Sequence, residues 1–583
     1  MLNFYDFECY PKLWTVTIIN PITKEETQIV NDVEALRTYY NSHKNQIYLG
    51  FNSRQYDDWI FKALLCGFSA WDMNNWLINK KRKGFEFSRL LSNIQLNSFD
   101  CMIGFNGLKT LEGFMGMDIR ETEIPFDYDG EFTPEMIKQV LKYNRHDVMA
   151  TIEVFMKRKS EFESYLGLIK MFNLPMTYLS KSKAHLSAII LGAKRTHHDD
   201  ELDVSLPPTL KIEKYFNVLD FFKNKWQPDI NYETEISGIP HTYGTGGIHG
   251  AIPNYFGEGD FLHIDVNSYY PSLMIRYPEY CMSRTGVSLE RFIEIRDNRI
   301  LFKKAGDARA NALKIVLNST FGAMKDKFNP LYDPRSNNNV VIFGQLLLTD
   351  LIERLEGHCD LIQSNTDGLI VKLHNNEAEV RSICKEWEER TGMGLGYDRV
   401  KKICQKDVNN YLMLMEKGGK WVVEAKGAYV KDLDDLDYDL PIVNDALRNY
   451  MLFGTPVEVT INSCTDFRKF QKIVKLSSKY QWVEHEQGYN PWYGKKGKLN
   501  VRYDSSIKYD NKAYRVFASL DENDGRLMKC KWVNGVAKKD KFGNTPEHCF
   551  IYNGDLTGME IPTKLDRNYY INTAKERLKD FGL

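Results

Sequence analysis

Along the first twenty residues apolar and polar positions alternate with period two and are rich in β-branched and aromatic types, as in Trp14-Thr-Val-Thr-Ile-Ile19; the pattern breaks at Asn20-Pro21 and resumes at Thr27-Gln-Ile-Val30. Such alternation sends successive side chains to opposite faces of a strand, so it predicts a β-hairpin at a sheet edge. The spacing then becomes helical over 33–42, a short apolar run at 46–51 reads as a buried strand, and 57–66 is helical again. Strands and helices in this succession predict an α/β domain. Thr133-Pro134-Glu135 is a helix start, with Thr at the N-cap and Pro where its missing N–H costs nothing, and helical spacing continues through Phe155. One helix therefore carries both Tyr143 and Asp147. The polar, turn-rich stretch at 195–210, with Pro207-Pro208, predicts a domain boundary.

Three later patterns stand out. His263-Ile-Asp265-Val-Asn-Ser-Tyr-Tyr270-Pro271-Ser272 begins as a buried strand and runs into a Pro-marked turn, which puts Asp265 at a strand end. Helical spacing from Arg309 places Lys314, Asn318 and Phe321 on one face, and Gly322 can end that helix. Leu361-Ile-Gln-Ser-Asn365-Thr366-Asp367-Gly368-Leu-Ile-Val371 is apolar, then turn-forming, then apolar, and predicts a hairpin with Asn-Thr-Asp-Gly at its tip.

A length of 583 residues exceeds a single hydrophobic core and predicts several lobes. Seventy-seven Lys and Arg balance seventy-eight Asp and Glu, so any attraction to a polyanion has to come from local clusters. Such clusters occur at Lys80-Lys81-Arg82-Lys83, Lys303-Lys304, Lys401-Lys402, Lys495-Lys496 with Lys498, and Lys538-Lys539 with Lys541. The ten Cys include no C-x-x-C pair, which argues against structural zinc, an iron–sulfur cluster and a disulfide framework. No apolar run approaches membrane-spanning length, and the start, Met1-Leu-Asn-Phe-Tyr-Asp, has no signal-like pattern, so a cytoplasmic protein with no membrane partner is expected.

Candidate chemistry lies in two sets of carboxylates. Hydrolysis of a phosphodiester by two metal ions needs carboxylates gathered from separate elements, holding ions about 4 Å apart. Asp6 and Glu8, two apart in a strand, share a face; Asp57 opens a helix; Asp147 follows Tyr143 by one helical turn. The order Asp6-Phe-Glu8, Asn52-x-x-x-Tyr56-Asp57, Tyr143-x-x-x-Asp147 resembles the three exonuclease motifs of the DEDDy proofreading nucleases attached to family B DNA polymerases. That resemblance implies metal ligation by Asp6, Glu8, Asp57 and Asp147, a water-positioning Tyr143, and contacts to a frayed 3′ end from Asn52 and Tyr56. Asp58 competes with Asp57, and the motif spacing favours Asp57. Protein-primed relatives add a catalytic Lys before the last motif; Lys109 and Arg120 both lie in that region, and the sequence does not choose between them.

The segment D-V-N-S-Y-Y-P-S from Asp265 resembles polymerase motif A of family B. It implies that Asp265 and the Val266 carbonyl bind metal and that Tyr270 packs against the deoxyribose and excludes a 2′-hydroxyl. Arg309, Lys314, Asn318, Phe321 and Gly322 resemble motif B, implying that Arg309 and Lys314 meet the triphosphate and that Phe321 packs on the nascent base pair. Asn365-Thr366-Asp367-Gly368 resembles motif C, usually D-T-D-S, with Asp367 as the principal ligand and two departures, Asn365 and Gly368. Tyr243-Gly-Thr-Gly246-Gly247 resembles the template-binding loop, and Lys406 with Tyr411 occupies the place of the primer-contact motif, though five residues apart rather than two.

The resemblance covers about two-thirds of the chain and implies a bacteriophage or mobile-element type of enzyme. The implied fold is α/β and α+β: a ribonuclease H-like 3′→5′ exonuclease domain at 1–195, a linker with the template-binding loop at 196–260, a right-hand palm at 261–285 and 325–440, fingers at 286–324, and a thumb at 441–583 with Lys495, Lys496 and Lys498 as duplex-phosphate contacts. It implies Mg2+ or Mn2+, two ions per active site, and primer-template DNA, dNTPs and replication accessory proteins as partners. Protein-primed relatives carry added subdomains between motifs A and B and between motifs B and C; the interval from Asp265 to Lys314 leaves no room for the first and that from Asn318 to Asp367 little for the second, so an ordinary nucleic-acid primer is expected. A nuclease whose polymerase half is a degenerate DNA-binding scaffold is the alternative.

Overall fold

The computed structural model describes residues 1–102, 104–493 and 499–583. Lys495, Lys496 and Lys498 lie outside the described residues.

The amino-terminal part is a five-stranded mixed sheet in the order β3-β2-β1-β4-β5, formed by β1 (Leu2–Cys9), β2 (Trp14–Asn20), β3 (Glu25–Val30), β4 (Ile47–Gly50) and β5 (Asn97–Asp100). The alternating pattern at 14–30 is the edge hairpin β2–β3, and the parallel neighbours of β1 and β4 are reached through helices Val33–His43 and Asp57–Leu65. Thr133 caps the next long helix, accepting from the Met136 N–H at 3.2 Å. This helix, Pro134–Met171, is longer than its apolar spacing predicts. Val148, Ile152 and Phe155 pack it onto the sheet, and Ile315 of helix Arg309–Ala323 joins that core. Near its other end, a Cβ placed on Gly167 would lie 3.5 Å from the Ala312 Cβ of the same neighbour.

The second sheet has nine strands in the order β14-β13-β12-β9-β11-β10-β8-β7-β6: β6 (Tyr232–Ile236), β7 (Ile239–Gly244), β8 (Gly247–Ala251), β9 (Tyr255–Val266), β10 (Cys359–Asn365), β11 (Gly368–Leu373), β12 (Leu395–Asp407), β13 (Asn410–Lys417) and β14 (Lys420–Lys426). Leu262, Ile264 and Val266 of β9 face a core shared with helices Tyr269–Arg276 and Pro334–Leu355, while Phe261, His263 and Asp265 alternate onto the other face. The Pro-marked turn predicted after β9 is a helix instead: Pro271 sits in the first turn of Tyr269–Arg276, where its lack of an N–H is harmless. Likewise Gly322 does not end its helix, which runs to Ala323. Residues 195–210 hold no helix or strand and are laid on helix Pro334–Leu355, whose Asn339 Oδ1 accepts from the Ser205 N–H at 2.9 Å.

Beyond residue 440, where the sequence offers no motif, two small sheets form. One is β15 (Lys472–Lys475), β18 (Ala513–Ala518) and β21 (Cys549–Ile551); the other is β16 (Trp482–Tyr493), β17 (Leu499–Tyr509), β19 (Arg526–Val533) and β20 (Val536–Lys541). Helices Pro441–Phe453 and Arg567–Lys579 share a core with Leu412 of the nine-stranded sheet. Ile473 also packs in one cluster with Phe51, Leu111, Phe114 and Val154, joined by Leu436 just before this region, so the carboxy-terminal part touches the amino-terminal part directly. Among the described residues no helix is long and apolar enough to cross a membrane.

Candidate active sites

Alternation along β1 brings Asp6 and Glu8 to one face, and the helix crossing that face supplies Asp147. Carboxylate oxygens of the three lie within 4.8 Å of one another. Asn144, one turn before Val148, donates from Nδ2 to the Asp6 carboxylate at 2.7 Å and to its carbonyl at 3.0 Å, tying helix to strand. Burial first, and then the charge of Asp147, pushes the Asp6 carboxyl up to about 8; burial above all raises Asp147 to about 6 despite Lys109 beside it; Glu8 is raised well above the usual range by burial and by Asp6. Three oxygen donors that repel one another in a buried space suit a hard divalent cation.

Asp57 sits outside that trio. Its Oδ1 accepts from the Phe7 N–H at 3.0 Å, and burial followed by the Asp6 charge raises it, so it adjoins the cluster from the start of its helix. Asp58 turns into the core, accepting from the Tyr5 hydroxyl and from Ser98 Oγ at 2.6 Å, which makes it a structural acid. Tyr143 is buried beside Asp147, with the Lys109 ammonium 4.7 Å from its ring centroid. Lys109 donates to Asp147 and, at 3.0 Å, to the fully buried Glu112. Arg120 instead pairs with Asp118 at 2.6 Å and is more than a third exposed. The structure thus brings Lys109, and not Arg120, to the carboxylates. Asn52 adopts a left-handed backbone, φ 59°, anchored by its N–H on Asp100, and lines a cleft facing Ser319 and Gly322 of helix Arg309–Ala323. The Tyr56 hydroxyl is occupied by Asn74 Oδ1 at 2.8 Å.

The second site lies where β9 and β11 meet. Asp265 is the cross-strand partner of Gly368, and the Val266 N–H donates to the Asp367 carbonyl at 2.8 Å. β10 and β11 are joined by Thr366 and Asp367, with Thr366 at φ 36°, as the hairpin pattern predicts. Burial, then Asp367, Asp398 and Glu424, push Asp265 up to about 7; burial also raises Asp367. Gly368 has a steric reason: a Cβ there would stand 3.0 Å from the Ile264 carbonyl and 3.4 Å from Asp265 Oδ1. Asn365 lines the same polar cleft as Asp265, Asp367, Asp398, Tyr411, Lys417 and Glu424.

On the helix side, a cavity of about 480 Å³ is lined by Tyr270, Lys314, Asn318, Phe321 and Asp367. The Tyr270 and Phe321 ring centroids are 4.4 Å apart. Both tyrosines line the cavity, but Tyr269 is buried with its hydroxyl donating to the Gly344 carbonyl at 2.8 Å, whereas Tyr270 is partly exposed and faces Phe321.

Several predicted contacts fall elsewhere. Arg309 pairs with Asp307 on an exposed surface and does not line the cavity; Arg299, from the preceding helix Leu289–Lys304, does, donating to Ser268 Oγ at 3.1 Å. Nothing local in the sequence separates Arg299 from the other basic residues of that helix. Tyr243 is fully buried with its hydroxyl on Thr349, so it cannot touch a template. Gly247, at φ 104°, is pressed against the β10–β11 turn: a Cβ would lie 3.1 Å from Thr366 Cγ2, and Gly246 precedes it in the β7–β8 turn. Lys406 pairs with Asp580 at 2.9 Å, away from the carboxylates; it is the extra residue at a register shift in β12, between Gln405 opposite Tyr411 and Asp407 opposite Asn410. Lys417 lines the cleft in its place, a position the five-residue K-to-Y spacing does not indicate.

No family model matches the chain. In sequence it is similar to DNA polymerase 1 of Saccharolobus solfataricus, with 21% identity over 285 residues, covering 46% of this chain. The matched stretch spans 27% of the length of that relative. Among solved structures, that of the family B DNA polymerase from the hyperthermophilic archaeon Pyrobaculum calidifontis aligns with 100% of this chain and 77% of its own, at a TM-score of 0.40 and 14% identity.

Proposed function

We propose that the chain is a template-directed DNA polymerase of the family B kind that also hydrolyses DNA from the 3′ end. The observation that carries this reading is the pairing of Asp265 with the Asp367 turn at the mouth of a cavity walled by Lys314, Asn318, Tyr270 and Phe321. A cation beside two carboxylates and an aromatic wall is what a metal-bound nucleoside triphosphate needs. Mg2+ or Mn2+ ions held by Asp265 and Asp367 would activate the primer hydroxyl and steady the leaving diphosphate. Lys314 and Arg299 would neutralise the phosphates, and Tyr270 would close the space beside the sugar at C2′. At the other centre Asp6, Glu8 and Asp147, with Asp57 adjoining, would hold ions for hydrolysis, and Tyr143 and Lys109 would orient water and balance charge. The same proposal includes an exonuclease domain at 1–195, a linker at 196–260, a palm at 261–285 and 325–440, fingers at 286–324 and a thumb at 441–583, with a phage or mobile-element setting, host-cytosol location and accessory proteins.

Asn365 and Gly368 favour a second reading, a 3′→5′ nuclease with a polymerase half that only holds DNA. Primer-extension gels with and without dNTPs separate the two. Asp265→Ala or Asp367→Ala should lower extension by about a thousandfold or more and leave degradation intact, whereas Asp6→Ala with Glu8→Ala should do the reverse. Wild-type protein that degrades but never extends a primer in Mg2+ or Mn2+ establishes the second reading instead.

A further inference from the structure

The geometry points to the carboxy-terminal region as a working part of the hydrolytic centre: Arg515, with Arg468 and Gln471, acts as a positioning residue that holds the helix bearing Lys109. The inference rests on the hydrolytic reading of Asp6, Glu8 and Asp147.

Helix Leu108–Met115 is only two turns long. Lys109 lies in its first turn and reaches Asp147 and Glu112. Its last-turn carbonyls have no donors within the helix, as at every helix end. The Met117 and Gly116 N–H groups just past the helix meet the Glu112 and Gly113 carbonyls at 3.0 and 3.1 Å, and three side chains from far along the chain supply further donors to this end. Arg468 donates to the Phe114 carbonyl at 3.2 Å from Nε and 2.5 Å from Nη2, and Gln471 Nε2 donates to it at 3.2 Å. Arg515 Nη2 donates to the Gly113 and Met117 carbonyls at 3.3 and 2.7 Å, while its Nη1 holds the Gly554 carbonyl at 2.6 Å and its Nε holds Gln471 Oε1 at 3.1 Å. The connection past the helix is held as well, the Ile119 N–H donating to the Asn553 carbonyl at 2.7 Å.

Arg515 is fully buried and, among the described residues, meets no carboxylate. Burying a guanidinium is costly unless every donor is used, and here the donors are spent on joining the Lys109 helix to β18. Two guanidinium groups at a helix C-terminus also suit the negative end of its dipole. Gly113 lets the contact close, since a Cβ there would come within 2.9 Å of Ile473 Cδ1. A two-turn helix pinned at one end this firmly fixes the other, where the Lys109 ammonium sits between Glu112 and Asp147. The same hold does not extend to Asp265 or Asp367, which lie on another sheet.

The test uses the full chain and a single-stranded oligonucleotide with a free 3′ end. Arg515→Met should lower kcat for hydrolysis about tenfold or more with KM within about twofold, and primer extension by the same preparation should be unchanged. Arg515→Lys keeps the charge without the fork and should recover part of the loss. In a Lys109→Ala background, Arg515→Met should cost no more than about twofold further, because the two act through one group. Hydrolysis by Arg515→Met at the wild-type rate, or losses that simply multiply with those of Lys109→Ala, overturns the inference alone; absence of hydrolysis by the wild-type chain withdraws the reading of the centre and this inference with it. Should Arg515→Met lose extension and its melting transition as well, the partly exposed Arg468→Gln takes its place with the same expected outcomes.

Discussion

At the scale of single residues, adjacent tyrosines in Tyr269-Tyr270 have opposite fates. Tyr269 is sunk in the core with its hydroxyl on a carbonyl, and Tyr270 stands 4.4 Å from Phe321 in the cavity wall. A ring that blocks the 2′ position acts by clash and not by binding. Tyr270→Val should therefore raise ribonucleotide incorporation by about tenfold or more relative to deoxyribonucleotides. Tyr269→Phe should leave that ratio alone and cost about 1 kcal/mol of stability for the lost hydrogen bond. Competition assays with paired dNTP and rNTP decide it, and an unchanged ratio in Tyr270→Val removes the gate from this residue. Tyr243 shows where single-residue reading breaks down: glycines beside a tyrosine look like a phosphate-binding loop, yet burial is set by which face of β7 meets the helices, and no local motif records that.

At the scale of elements, most of what positions the carboxylates was legible. Period-two spacing put Asp6 and Glu8 on one face of β1, and helical spacing put Tyr143 and Asp147 on one side of a helix, because both depend only on local geometry. Glu112, Arg299 and Lys417 were not legible, since each reaches its site from a neighbouring element whose placement is tertiary. The meeting of β1 with helix Pro134–Met171 has a measurable cost. Carboxyls raised in the folded state contribute stability that is fully present below their unfolded pKa near 4 and is lost as pH rises through the folded values, about 6 for Asp147 and about 8 for Asp6. Metal-free protein should thus lose melting temperature between about pH 5 and about pH 8.5 relative to Asp6→Asn, and added Mg2+ should restore more at the upper end than at the lower. Scanning calorimetry across that range is the measurement; parallel curves for wild type and Asp6→Asn would contradict the electrostatic account.

At the scale of the whole molecule, the intervals from Asp265 to Lys314 and from Asn318 to Asp367 are filled by ordinary elements. Helices Leu289–Lys304 and Arg309–Ala323 take up the first, and helix Pro334–Leu355 with β10 the second. Among the described residues these intervals hold no further subdomain to wrap a template or wedge a duplex. The purified chain should accordingly extend a primer across a gap and stall at a downstream duplex, and synthesis through hundreds of base pairs without other proteins would refute this. The carboxy-terminal sheets, which no motif announced, contribute contacts whose partners lie hundreds of positions earlier, a separation over which sequence patterns carry no phase. One element does keep phase over a long distance. The 38-residue helix Pro134–Met171 bears Asp147 in its first half and, at Gly167, touches helix Arg309–Ala323 near its far end. Adding one residue between those positions would turn one end by about 100° relative to the other, and adding seven would restore the direction to within about 20° but lengthen the rod by about 10 Å. No insertion satisfies both angle and length, so this stretch behaves as a fixed ruler, closed to insertions and deletions even where its outward-facing side chains are free to vary.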